Sequence, residues 1–143
     1  MFLKDNFISF DDISFLAVGC GPGSYTGIRA VISTALGITL SKSHIKSIGI
    51  NSLAGLAMSA LQEAKTLKVK YVISSIDSKK DDLFLQLFKI NYTKNKLLPI
   101  IAISNIDTIK IENLHNYFVI NNLILTEVLF VGHQSDMAKN IIE

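Results

Sequence analysis

Cysteine and arginine occur once each in this chain, proline twice and tryptophan not at all. A single cysteine excludes an internal disulfide and any metal site built on several thiolates. His44, His115 and His133 stand far apart and form no H-x-x-x-H or H-E-x-x-H pattern, so metal chemistry has no motif to rest on. No apolar run approaches the ~18–20 residues of a membrane span. The opening Met1-Phe2-Leu3-Lys4-Asp5-Asn6 has no basic stretch leading into an apolar one. A signal peptide is therefore not expected, no membrane partner is expected, and the cytoplasm is the expected compartment. The net charge of +2 is no nucleic-acid signature.

What is present suits a folded domain. Apolar residues make up 49% of the 143 positions and mean hydropathy is +0.39, ample for a core. Four of the eight glycines fall within Gly19-Cys20-Gly21-Pro22-Gly23-Ser24-Tyr25-Thr26-Gly27, together with Pro22 and Cys20. Arg29 follows two residues later. The apolar run Ile13–Val18 ahead of this stretch reads as a buried strand. Behind it, Ile28, Val31, Ile32, Ala35, Leu36 and Leu40 repeat at helical spacing, with Thr26 as the expected N-cap. The stretch is thus a strand-to-helix turn.

Two readings of that turn stand. Gly21, Gly23, Ser24 and Thr26 could cradle a phosphate at a helix N-terminus. Equally, the glycines could let a buried helix pack close to its strand. It is not a P-loop, because no lysine precedes Ser24 or Thr26. It is neither G-x-G-x-x-G nor G-x-S-x-G. Arg29 opposes the helix dipole in the first turn, which points to an anion, a carboxylate or a second subunit, with a solvated surface arginine as the alternative.

Further along, 45–50 reads as a strand and 52–68 as a helix with the apolar stripe Leu53, Leu56, Ala57, Ala60, Leu61, Ala64 and Leu67. Strands over 69–76 and 83–90 form an expected hairpin, and Asp77 ends the first of them. Residues 97–104 are extended, 105–116 weakly helical, 117–120 a strand ending in Asn121-Asn122, and 128–131 a further strand. A helix capped by Ser135 ends the chain. The order argues α/β or α+β. No catalytic constellation can be assembled: the chain offers no paired metal histidines and no nucleophile–base arrangement.

Gly21-Pro22-Gly23-Ser24-Tyr25-Thr26-Gly27-Ile28-Arg29 resembles the G-P-G-S-[FY]-T-G-[LI]-R signature of the TsaB (YeaZ) family. Gly49-Ile50-Asn51-Ser52-Leu53-Ala54-Gly55-Leu56-Ala57 resembles its G-V-S-S-L-x-A-L-A. Residues Ile76 to Phe84 resemble its I-D-A-R-x-x-E-V-Y, with Lys79 where the family has arginine. The resemblance implies the actin-like ATPase (ASKHA) architecture. Residues 1–68 would be a partial first subdomain with two interface helices, and 69–143 a second α/β subdomain. It implies a non-catalytic subunit of the machinery that transfers threonylcarbamoyl to an adenosine in the tRNA anticodon loop. A TsaD-like subunit would carry the catalytic site and a TsaE-like ATPase would join the assembly. Self-association through an overlapping helical surface is a further implication, and tRNA would be met through the complex.

The implied partner surface comprises Arg29, Ile32 and Leu36 on the first helix and Leu53, Leu56 and Ala60 on the second. No cofactor is expected on this chain alone; ATP or ADP would belong to the complex. The alternative is a nucleotide- or phosphate-binding hydrolase using Gly21–Gly27. The family's leading strand with its I-D-T-S-like motif, the following hairpin and the following helix have no counterpart here. Met1 is therefore expected to match an internal position, and Ile13–Val18 to be an exposed apolar edge.

Overall fold

The computed structural model describes residues 2–78, 82–93 and 98–133. They fall into two compact units, Met1–Asn51 and Ser52–Glu143. The division lies ahead of the helical stretch 52–68, where the sequence placed a boundary after it.

The first unit is a β-α-β crossover. A short helix α1 (Phe2–Asp5) and a single 3-10 turn (Phe10–Asp12) lead into β1 (Phe15–Gly19). The 3-10 turn is closed by a capping box, in which Ser9 Oγ accepts from the Asp11 amide while the Ser9 amide and hydroxyl both donate to Asp12 at 2.8 Å. Helix α2 (Tyr25–Ser41) crosses back, and β2 (Lys46–Ile50) pairs parallel with β1, Ala17 opposite Ile48. Lys42 just beyond α2 donates to Asp11 Oδ1 at 2.7 Å, and the His44 ring lies 3.3 Å from the Phe10 carbonyl. Among the described residues of this unit, the buried apolar side chains are Val18, Ala35 and Ile45.

The second unit is a sheet covered on both faces. Its strands are β3 (Tyr71–Asp77), β4 (Asp82–Ile90), β5 (Ile100–Ala102), β6 (Asp107–Lys110) and β7 (Val128–Gly132). The order is β5-β4-β3-β7, with β6 on the other half of β4's outer edge. The β3–β4 hairpin is antiparallel and β3–β7 parallel. Alternation sends Ile73, Leu85, Leu87 and Phe130 to one face, against Leu114, Tyr117 and Phe118 of α5 (Leu114–Ile120). Val72, Phe88 and Ile90 face the other way, against Leu53 and Ala57 of α3 (Ser52–Ser59) and Ala64 of α4 (Leu61–Leu67).

Three expectations are corrected here. The single helix over 52–68 is two helices, broken at Ala60 (φ −88°, ψ 0°). Residues 117–120 are helical, because Leu114, Tyr117 and Phe118 at i, i+3 and i+4 form the face that packs under the sheet. Within 105–116, the segment Asp107–Lys110 is a strand paired with β4. The helix expected from Ser135 lies outside the described residues. No helix among the described residues is long and apolar enough to cross a membrane.

Candidate functional site: the glycine turn and its helix

The turn between β1 and α2 is held by side chains and backbone of the first unit. Gly21 is buried at φ +99° and follows into Pro22 through a cis peptide bond. A Cβ at Gly21 would lie 2.9 Å from Ile28 Cδ1, and one at Gly23 would lie 3.9 Å from the same atom. Ile28 therefore fills the hollow that the two glycines open. The helix N-cap is Ser24, not Thr26: Ser24 Oγ accepts from the Gly27 amide at 3.3 Å and its carbonyl from the Ile28 amide at 2.8 Å. Serine wins because the helix starts at Tyr25, three residues ahead of the apolar periodicity that begins at Ile28. Thr26 lies exposed in the first turn. The first amides of α2, those of Tyr25 and Thr26, have no acceptor within the helix.

Arg29 is exposed, with its guanidinium 4.1 Å from the centroid of the Tyr25 ring, one helical turn back. Tyr25 thus gives the cation a rigid platform on the outer face of the turn. Sequence reasoning missed this role, although the i, i+4 spacing of Tyr25 and Arg29 carried the signal. Cys20 ends β1. Its Sγ donates to the Val18 carbonyl at 3.4 Å and would lie 2.8 Å from a Cβ at Gly49, which explains a glycine in β2.

The partner residues inferred from the family separate into two groups. Ile32 is half-buried and Leu36 is 54% exposed, and both line a shallow groove of about 120 Å³ on the β2 side of α2. On the β1 side a larger apolar groove of about 300 Å³ runs between Leu16, Val18, Ala30, Val31, Thr34 and Ile38. Leu53 belongs elsewhere. It is 0% exposed inside the core of the second unit and has no surface to offer, so its inclusion in a partner face is corrected. Leu56 is half-buried and its Cδ2 would lie 2.7 Å from a Cβ at Gly132, so it packs on β7. Ala60 is half-buried at the break between α3 and α4.

Asp77 ends β3 opposite Leu83, and the Ser78 amide donates to the Asp82 carbonyl at 2.9 Å, closing the hairpin. Lys79 lies outside the described residues. Among the described residues no three His, Cys, Asp or Glu side chains converge on a point.

The family model described as TsaD, tRNA N6-adenosine threonylcarbamoyltransferase, matches residues 1–142. The chain belongs to this family. Within it, the TsaB (YeaZ) assignment drawn from the glycine turn agrees with both curated relatives found. The tRNA threonylcarbamoyladenosine biosynthesis protein TsaB of Buchnera aphidicola (subsp. Baizongia pistaciae, strain Bp) is 31% identical over 72 residues, which is 50% of this chain and 33% of that protein. TsaB of Escherichia coli K12 is 33% identical over 76 residues, 53% of this chain and 31% of that one. The match thus spans about a third of the length of each curated relative. YeaZ from Pseudomonas aeruginosa superposes with a TM-score of 0.61 at 20% identity, over 77% of this chain and 49% of that one. A second structure, described as an uncharacterized protein with similarity to peptidase YEAZ from Pseudomonas aeruginosa, gives 0.63, also at 20% identity, over 78% and 47%. The fold is therefore α/β of the actin-like ATPase class.

Proposed function

We propose that this chain acts in tRNA threonylcarbamoyladenosine synthesis as a non-catalytic subunit, joined to a TsaD-like transferase and a TsaE-like ATPase. The transfer of threonylcarbamoyl to an anticodon-loop adenosine belongs to the TsaD-like partner in this reading, and so does any ATP or ADP. The chain would work in the cytoplasm, meeting tRNA through the complex.

The observation that carries this reading is the occupied hollow of the turn. Ile28 Cδ1 stands against Gly21 where a cradled anion would need open backbone. The turn then serves to seat α2, leaving Arg29 stacked on Tyr25 and the apolar Leu36 outward for a protein partner. An exposed arginine and aromatic beside apolar positions is the composition of an interface centre.

The test is co-purification of the 143-residue chain with the TsaD-like subunit of the same organism. The expected result is a complex that Arg29→Glu and Leu36→Asp each weaken at least tenfold, with circular dichroism unchanged. Absence of a complex, or indifference to both substitutions, overturns the reading. Calorimetry with ATP serves the alternative. Micromolar binding to the isolated chain, lost on Gly23→Val, would favour a nucleotide site at the exposed amides of Tyr25 and Thr26.

A further inference from the structure

The net charge of +2 conceals a segregation within the second unit. Four of its five described lysines, Lys65, Lys68, Lys70 and Lys89, stand around the end of the sheet where β3 begins. Asp77, Asp82, Asp107 and Glu112 lie toward the other end, around the β3–β4 hairpin and β6. Lys89 joins the lysines of 65–70 only through the antiparallel pairing of β3 with β4, so no window of sequence shows the cluster.

The backbone fixes the arrangement. Helix α4 ends at Lys68, a residue at φ +56° whose amide donates to the Ala64 and Lys65 carbonyls. That cap turns the chain into β3. The Lys70 carbonyl accepts from the Ile90 amide and its amide donates to the Glu127 carbonyl, both at 2.9 Å. Tyr71 then pairs with Lys89. Lys89 alternates with Ile90 and Phe88, so it belongs to the α5 face of the sheet, while α4 covers the opposite face. The cations therefore form a band from the α4 layer, over the rim of the sheet, to its other face. All four lysines are exposed.

Two carboxylates lie near the band. Glu127 is ion-paired with Lys70. Glu63, two residues before Lys65, is turned about 160° away around α4. No described carboxylate pairs with Lys65, Lys68 or Lys89. Beside them stands Tyr92, 50% exposed. Its hydroxyl donates to the Val69 carbonyl at 2.5 Å and lies 3.4 Å from the Ala64 carbonyl. The Ala64 carbonyl belongs to the C-terminal end of α4, whose partial negative charge would oppose an anion. The Lys68 and Val69 amides and the Tyr92 hydroxyl engage it, and the same bonds anchor the Tyr92 ring at the rim.

We propose that this band binds the phosphate backbone of RNA, with Tyr92 as the platform for a base. The proposal does not rest on the threonylcarbamoylation reading, in which tRNA is met through the complex. It gives the isolated chain an RNA contact of its own.

The chemistry favours a polynucleotide over a protein. Protein interfaces are depleted in lysine, whereas lysine and arginine are the ordinary partners of phosphate. An anchored, half-exposed tyrosine among cations matches how single strands are held: charges track the backbone and a ring takes a base. Three lysines free of carboxylates suit weak, salt-sensitive binding.

Fluorescence anisotropy of a labelled single-stranded RNA of about 15 nucleotides, titrated with the 143-residue chain, tests the proposal. The dissociation constant should be about 10–100 µM at low salt. Log affinity should fall against log salt with a slope of about −2, the value for three phosphates of a single strand. The triple variant Lys65→Gln, Lys68→Gln, Lys89→Gln should bind at least tenfold more weakly, with a flatter slope and unchanged circular dichroism. Tyr92→Ala should weaken binding about fivefold or more, and Tyr92→Phe, which keeps the ring, should not. Lys110→Gln, at the other end of the sheet, should change nothing.

No binding up to about 100 µM chain overturns the proposal. So does an affinity indifferent to the three lysine substitutions or to Tyr92→Ala, or an equal loss in Lys110→Gln. Poly-glutamate that displaces the labelled strand as readily as unlabelled RNA would assign the band to an acidic protein and overturn it as well.

Discussion

Substituting Gly21 by alanine separates two contributions within one turn. At φ +99° a side chain strains the backbone by about 1–3 kcal/mol. The new Cβ would also meet Ile28 Cδ1 at 2.9 Å, while its next neighbours, Gly23 N and Ile28 Cγ1, stand at 3.8 and 3.9 Å. The steric part therefore depends on one methyl group, and overpacking of that size adds about 1 kcal/mol. Gly21→Ala should destabilise the first unit by about 2–4 kcal/mol in all. Ile28→Val alone should cost about 0.5–1.5 kcal/mol. It deletes the clashing methyl, so the double variant should be about 1 kcal/mol more stable than the sum of the singles. Native-state hydrogen exchange at the amides of Lys46 and Cys20 reads this directly, because both close the β1–β2 ladder at 2.9 Å. Gly21→Ala should speed their exchange roughly 30- to 1,000-fold. Strict additivity in the double variant, or unchanged exchange in Gly21→Ala, would show that Ile28 does not fill the turn.

Gly37→Ala should stabilise α2 by about 0.5–1 kcal/mol, since nothing stands within 4 Å of the added carbon; urea melts with exchange readout check it. Leu53→Ala should cost about 2–5 kcal/mol by the same melts, whereas Leu40→Ala, at a position 84% exposed, should change little. Asp11 lies below its ordinary range because Lys42 hydrogen-bonds and pairs with it, and Asp12 because the Ser9 amide and hydroxyl donate to it. Both shifts are downward, so their stabilisation is present above about pH 4 and lost as pH falls through the folded values; Asp11→Asn should flatten that part of a pH series of melts. Burial pushes the Tyr117 hydroxyl up. Stability should therefore decline as pH rises past about 10, and Tyr117→Phe should remove that decline at little cost near neutrality.

The glycine turn, α2, the β1–β2 pair and the β3–β4 hairpin were readable because local chemistry and long-range packing agree there. Where they disagree, the sequence misled. Tyr117 to Ile120 is aromatic and β-branched and looks like a strand, yet Val119 and Ile120 are 60% and 69% exposed while Tyr117 and Phe118 are buried. Only the presence of a sheet face beside Leu114 reveals the helical phase. The apolar stripe from Leu53 to Leu67 continues through the break at Ala60, because one bent residue does not turn the stripe away from the sheet. The stripe said that one side of 52–68 is apolar. It did not say whether that side faces the chain's own sheet or another protein, which is why Leu53 was placed at an interface. The hollow at Gly21 was likewise visible as a glycine, but its occupant Ile28 could be identified only in three dimensions.

Strand β7 imposes an order on synthesis. It pairs with β3 in parallel, Ser75 opposite Gly132, across 57 residues of chain. The Ser75 hydroxyl donates to the His133 carbonyl at 2.7 Å, and the His133 amide donates to the Ser75 carbonyl at 3.2 Å. A nascent chain can therefore assemble the β1–α2–β2 crossover as soon as Ile50 emerges from the ribosome. The second sheet must wait, with one edge of β3 open, until Gly132 arrives. During that interval the unpaired edge of β3 is a template on which another strand could pair.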